Sequence, residues 1–82
     1  MKCNAWIMTP GGLVIDTIEN LEEPAPGKKY ELYVRVRRRT NLGRVLVVFT
    51  GQNPAACWAE SRLDTAEAGD TVPINLTIEG QA

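Results

Sequence analysis

Strict alternation constrains this chain more than any other feature. Tyr30, Leu32, Val34 and Val36 alternate with Glu31, Tyr33, Arg35 and Arg37, the period-two signature of a strand with one buried face. Val72, Ile74, Leu76 and Ile78 alternate in the same way with Pro73, Asn75, Thr77 and Glu79. A helix would spread either set around its circumference, so both segments commit to sheet. Pro73 has no backbone N–H, which predicts an edge position for the last strand or pairing that begins after Pro73.

The remaining segments agree with sheet. Lys2 to Met8 reads as a short strand, Thr9-Pro10-Gly11-Gly12 as a tight reversal and Leu13 to Glu19 as the hairpin partner. Asn20 to Lys29 carries Pro24, Pro26 and Gly27 and reads as a loop crossing between sheets. Asn41-Leu42-Gly43 is a turn, and Arg44 to Thr50 is a strand that is apolar from Val45 to Phe49. Pro54 to Leu63 admits two readings. Asn53 and Pro54 would open a short helix, whereas Cys57, Ala59, Ser61 and Leu63 alternate as a strand would. Strand is favoured because the surrounding segments already specify sheet, and Asp64 to Asp70 then forms a hairpin loop. The expected fold is all-β: one domain over residues 1–82, a small antiparallel sandwich of six or seven strands. The alternative is a β-rich α+β fold with one short helix near 54–63.

At 82 residues the chain buries only roughly 60 to 65% of its extended surface, so the core must be small. Trp6 and Trp58 are therefore read as core or core-rim residues. No apolar run approaches the ~20 residues of a membrane span. The N-terminal residues lack the apolar core of a signal peptide, so the expected location is the cytoplasm or a virion assembled there. Cys3 and Cys57 are expected as free, partly buried thiols.

The run from Pro24 to Arg37, Pro-Ala-Pro-Gly-Lys-Lys-Tyr-Glu-Leu-Tyr-Val-Arg-Val-Arg, resembles the proline-glycine lead and alternating strand of bacterial adhesion-related (CARDB-type) domains. Leu63 to Thr71, leading into Val72 to Ile78, is similar to the loop and last strand of the same group. That resemblance implies an immunoglobulin-like β-sandwich. Domains of that group are usually modules of secreted proteins, and this chain is shorter than they are.

Chemistry-bearing motifs are sparse. With no histidine the commonest general base and metal ligand is missing. Two cysteines without CxxC spacing do not make a zinc site, and Glu22-Glu23, Asp64, Glu67 and Asp70 lack the order of a calcium loop. The expectation is a non-enzymatic chain with no catalytic residue, no metal, no cofactor and no small-molecule substrate.

What remains is charge. Residues 28–44 hold Lys28, Lys29, Arg35, Arg37, Arg38, Arg39 and Arg44 against Glu31 alone, whereas the rest of the chain is acidic and the formal net charge is −1. If Tyr30 to Val36 bury their even positions, Tyr33, Arg35, Arg37 and Arg39 form an outward row. With the next strand alongside, Arg44, Leu46 and Val48 complete one arginine, tyrosine and aliphatic interaction face. The expected role is protein binding or self-association, as an accessory or structural subunit of a larger assembly such as a phage or virion decoration protein. The alternatives are a small inhibitor or regulator of a nucleic-acid-handling protein and direct nucleic-acid binding. No membrane partner is expected.

Overall fold

The computed structural model describes residues 2–52, 54–61 and 64–79. Eight antiparallel strands form, and no helix occurs among the described residues. They are β1 (Lys2–Met8), β2 (Val14–Glu22), β3 (Lys29–Arg35), β4 (Thr40–Asn41), β5 (Arg44–Thr50), β6 (Ala55–Glu60), β7 (Thr65–Ala66) and β8 (Thr71–Thr77). A four-stranded sheet in the order β2-β1-β5-β6 lies against the β3-β8 pair, and β4-β7 forms a two-residue ribbon at one end. The all-β sandwich expected from the alternation is what forms. No described helix is long and apolar enough to cross a membrane.

Parity decides what is buried. Cys3, Ala5 and Ile7 of β1 and Val45, Val47 and Phe49 of β5 point inward, against Leu32 and Val34 of β3 and Val72, Ile74 and Leu76 of β8. Phe49 and Tyr30 pack with ring centroids 4.9 Å apart, and the Tyr30 hydroxyl donates to the Glu22 carbonyl at 2.6 Å. A buried phenol keeps its partner in this way.

The helix alternative for 54–63 does not form. Ala55–Glu60 is strand, paired with β5 from Arg44↔Glu60 to Phe49↔Ala55; a helix there would have left that edge of β5 unpaired. Leu63 lies outside the described residues. The segment expected as a loop from Asn20 to Lys29 begins later, because β2 continues to Glu22. Its register with β1 shifts between Cys3 and Ala5, and Asn20 takes up the extra residue at φ 64°. Asparagine tolerates the left-handed conformation of such a bulge.

β8 takes the edge position that Pro73 predicts, in a two-stranded sheet, and its pairing includes Pro73, since the β3-β8 ladder runs from Arg35↔Thr71 to Lys29↔Thr77. Ile78 N–H donates to Lys28 C=O and Val36 N–H to Asp70 C=O, marking the bonded pairs. Alternation then makes Tyr33↔Pro73 a non-bonded pair, so the missing donor faces away from β3. On that side β8 meets the end of β6 through the Ser61↔Ile74 bridge and a weak bond from Cys57 Sγ to Thr77 O at 3.6 Å. At the opposite seam, Asp16 Oδ2 accepts the Arg35 N–H at 3.0 Å, joining β2 to β3.

Leu42, expected in a turn, is 1% exposed. Its N–H donates to Asp64 C=O, and with Val36 it seals the end of the sandwich under the β4-β7 ribbon. Asn41 to Gly43 is therefore no hairpin turn. Residues 36–43 carry the chain from one sheet to the other.

Candidate interaction site

That crossing separates the residues expected to form one face. β3 pairs with β8 and β5 pairs with β1 and β6, so the two strands are not neighbours. Tyr33 and Arg35 project from the β3-β8 sheet, Arg37 and Arg39 from the loop that follows it, and Arg44, Leu46 and Val48 from the four-stranded sheet. Lys2, Lys28 and Lys29 lie at one end of the sandwich. Arg35, Arg37, Arg38, Arg39 and Arg44 gather at the other, where Asp16, Glu60, Asp64, Glu67 and Asp70 meet them. Arg39 Nε lies 3.4 Å from Glu67 Oε1, and Arg44 stands across from Glu60. The basic window of the sequence thus shares its end of the sandwich with carboxylates from distant parts of the chain.

Arg37 and Arg38 have no ion-pair partner among the described residues, and they line a shallow 230 Å³ cleft with Leu13, Val14, Ile15 and Thr40. Tyr33 donates from its hydroxyl to Glu31, and that bond, followed by the nearby Glu31 charge, raises the phenol above its ordinary value.

The four-stranded sheet supplies a different surface. Lys2, Asn4, Trp6 and Met8 of β1 share the outward parity, as do Arg44, Leu46, Val48 and Thr50 of β5 and Ala56, Trp58 and Glu60 of β6. Cross-strand register stacks them in two apolar rows. One runs Thr17, Trp6, Val48, Ala56; the other runs Val14, Met8, Leu46, Trp58. Trp6 is 46% exposed, Trp58 43% and Val14 44%. Both tryptophans were expected in or beside the core, and the structure corrects this. Each sits on a strand whose opposite parity is filled by small or aliphatic residues, Ala5 and Ile7 for Trp6 and Ala59 for Trp58. Lys2 and Asn4 on the same parity as Trp6, and Glu60 on that of Trp58, were the signal in the sequence.

Polar rows border the apolar band. Lys2 Nζ and Glu22 Oε1 pair at 3.0 Å beyond one side, and that bond together with the Lys2 charge holds the Glu22 carboxyl below its ordinary value. Asn4 and Thr50 lie between this pair and the tryptophan row. Arg44 and Glu60 close the other side. An apolar centre with a polar rim is the anatomy of a protein contact surface.

Trp58 also lines two open grooves. One, of 620 Å³, is shared with Lys29, Glu31, Glu60, Asn75 and Thr77; the other, of 490 Å³, with Arg44, Ala56, Cys57 and Ile78. Cys3 and Cys57 are free thiols, raised above the ordinary thiol value first by burial and then by Glu23 and Glu79 respectively, the opposite of the shift that activates a thiol. Among the described residues, no three histidine, cysteine or carboxylate side chains converge to hold a metal ion. Comparison with protein-family models, with curated proteins and with solved structures finds no match to this chain.

Proposed function

We propose that this chain is a non-enzymatic protein-interaction domain whose contact surface is the outer face of the four-stranded sheet. The observation that carries the reading is the apolar band of Trp6, Met8, Val14, Leu46, Val48 and Trp58 on a molecule of 82 residues. Small monomers rarely leave so much contiguous apolar area in water without a use for it, and tryptophan is the residue most enriched where binding energy concentrates. A small sandwich with one broad apolar face suits an accessory or structural subunit of a larger assembly, such as a phage or virion decoration protein.

A photo-crosslinking residue at Thr17, beside Trp6, is compared with one at Ala68 in the exposed loop between β7 and β8. Protein adducts from position 17 and none from 68 are expected. Equal yields from the two positions, or none from 17, would overturn the reading.

The second reading places the contact at the arginine end, on a nucleic acid or a protein that handles one. The unpaired Arg37 and Arg38 favour it. Arg39 against Glu67, Arg44 against Glu60 and Asp16 beside Arg35 weaken it, because phosphate binding needs a field of one sign. Nucleic-acid affinity that falls steeply with salt and is lost in Arg37→Glu would establish it.

A further inference from the structure

We infer that the occupant of the tryptophan face is a second copy of this chain, in an isologous dimer of four-stranded sheets packed face to face. This rests on the reading of that face as a contact surface and names its partner.

The cross-strand register makes the face complementary to itself. A two-fold axis lying in the contact plane, parallel to the strands and midway between β1 and β5, exchanges residues that are register partners across those two strands. Trp6 and Val48 are such partners, and so are Met8 and Leu46. Each Trp6 therefore lands on Val48 of the other copy, and each Met8 on Leu46. The same rotation lays β2 over β6, bringing Val14 opposite Trp58 and Thr17 opposite Ala56. Every apolar position meets an apolar or small one. Val48 is half-buried beside Trp6 and Leu46 beside Trp58, so a ridge on each copy meets a trough on its mate. Surfaces that carry both halves of their own complement pair isologously.

Charge points the same way. Lys2 and Glu22 beyond one side of the band, and Arg44 and Glu60 beyond the other, put both signs in each rim. The rotation sets Arg44 over the β1 side of its mate and not over another Arg44. With a formal net charge of −1, two copies meet little long-range repulsion.

The area sets the strength. Four strands about 4.8 Å apart and six residues of about 3.4 Å each span a plane of roughly 19 by 20 Å, below the ~800 Å² per partner of a standard stable complex, so the dimer is a weak one. Sheets stacked in this way keep their strands within about 30° of each other, the arrangement the axis requires.

Sedimentation equilibrium of the whole chain, from micromolar to near-millimolar concentration, tests this. A monomer–dimer equilibrium is expected, with tryptophan emission moving to shorter wavelength as the dimer forms. Trp6→Thr, which keeps a strand-forming residue at an exposed position, is expected to raise the dissociation constant at least ~30-fold. Ala68→Glu, in the exposed loop between β7 and β8, is expected to leave it unchanged. A monomer at every concentration overturns the inference, as does a dimer whose formation leaves the emission or the Trp6→Thr constant unmoved. If a monomer still gives crosslinks from position 17 to another protein, the inference fails and the proposed function stands. If position 17 gives none, both fail.

Discussion

The Arg44 guanidinium carbon lies 4.1 Å from the centroid of the Trp58 ring, covering one face of an aromatic that the fold leaves in water. Arg44 and Trp58 project on the same side of adjacent strands, displaced by one step of the β5-β6 ladder. The contact fixes the edge of the apolar band as well as its polar rim. Removing the guanidinium with Arg44→Ala is expected to cost about 0.5–1 kcal/mol, the range of an exposed cation–π pair. Urea unfolding checks the cost, and a red shift of the folded-state emission checks that Trp58 has been uncovered.

Asp16 closes the β2-β3 seam by accepting the Arg35 N–H at 3.0 Å, in place of the backbone partner that a continuous sheet would supply. Asp16→Ala leaves that exposed donor to water and is expected to cost about 0.5–1.5 kcal/mol. Asp16→Asn keeps an acceptor oxygen and should recover most of the loss. Amide exchange is the direct readout: Arg35 loses protection in the alanine variant while Val34, hydrogen-bonded within the β3-β8 pair, keeps it. Equal protection of Arg35 in both variants would dismiss the role.

Burial raises the Cys3 thiol, and the nearby Glu23 carboxylate adds to the effect. Burial raises Tyr30 too, with Cys3, Glu22 and Glu23 contributing after it. In the unfolded chain these groups ionise near their ordinary values, about 8.5 for cysteine and about 10 for tyrosine. The folded chain holds them neutral to higher pH. Over that window the unfolded state binds fewer protons, so stability falls as pH rises. The contribution is complete below the unfolded values and is lost as pH climbs through the folded ones. Thermal melts are expected to be level around neutrality and to decline on the alkaline side. The decline should begin later in a Cys3→Ala/Cys57→Ala variant, because Cys57 is raised in the same sense.

Glu23 carries the opposite kind of burden. Both of its carboxylate oxygens are buried without a hydrogen-bond partner, and Gly51 leaves them their space: a Cβ there would stand 2.7 Å from Oε1. Glu23→Met, similar in length and without the polar oxygens, is expected to stabilise the fold by about 1–3 kcal/mol. A lower urea midpoint for the methionine variant would show that the carboxylate is satisfied in solution.

Alternation made β3 and β8 legible before any coordinate, because one face of each is buried and a single-residue slip would expose it, and the unbroken apolar run from Val45 to Phe49 did the same for β5. Sheet membership was not legible. An eight-residue connection such as 36–43 serves a hairpin as well as a crossing, and only the burial of Val36 and Leu42 shows which it is. Strands of two residues, as in β4 and β7, carry no period to detect. The candidate face followed the same division. Arg44, Leu46 and Val48 belong to the surface favoured here, but Tyr33, Arg35, Arg37 and Arg39 were joined to them by an adjacency that does not exist. Trp6 and Trp58 were misplaced because bulk was weighed above parity, and parity decides direction on a strand.

Among the described residues, the seams on either side of the β3-β8 pair leave no long strand with a bare outer edge. β2 turns its outer edge to β3 and β6 turns its outer edge to β8, with Asp16, Pro73 and Cys57 standing where further backbone pairing would otherwise continue. Bare edges are what seed runaway polymerisation between chains. A protein built in this way can be crowded, copy against copy, through its side chains while its main chain offers newcomers little to copy, so that dense packing and resistance to fibre formation follow from one arrangement.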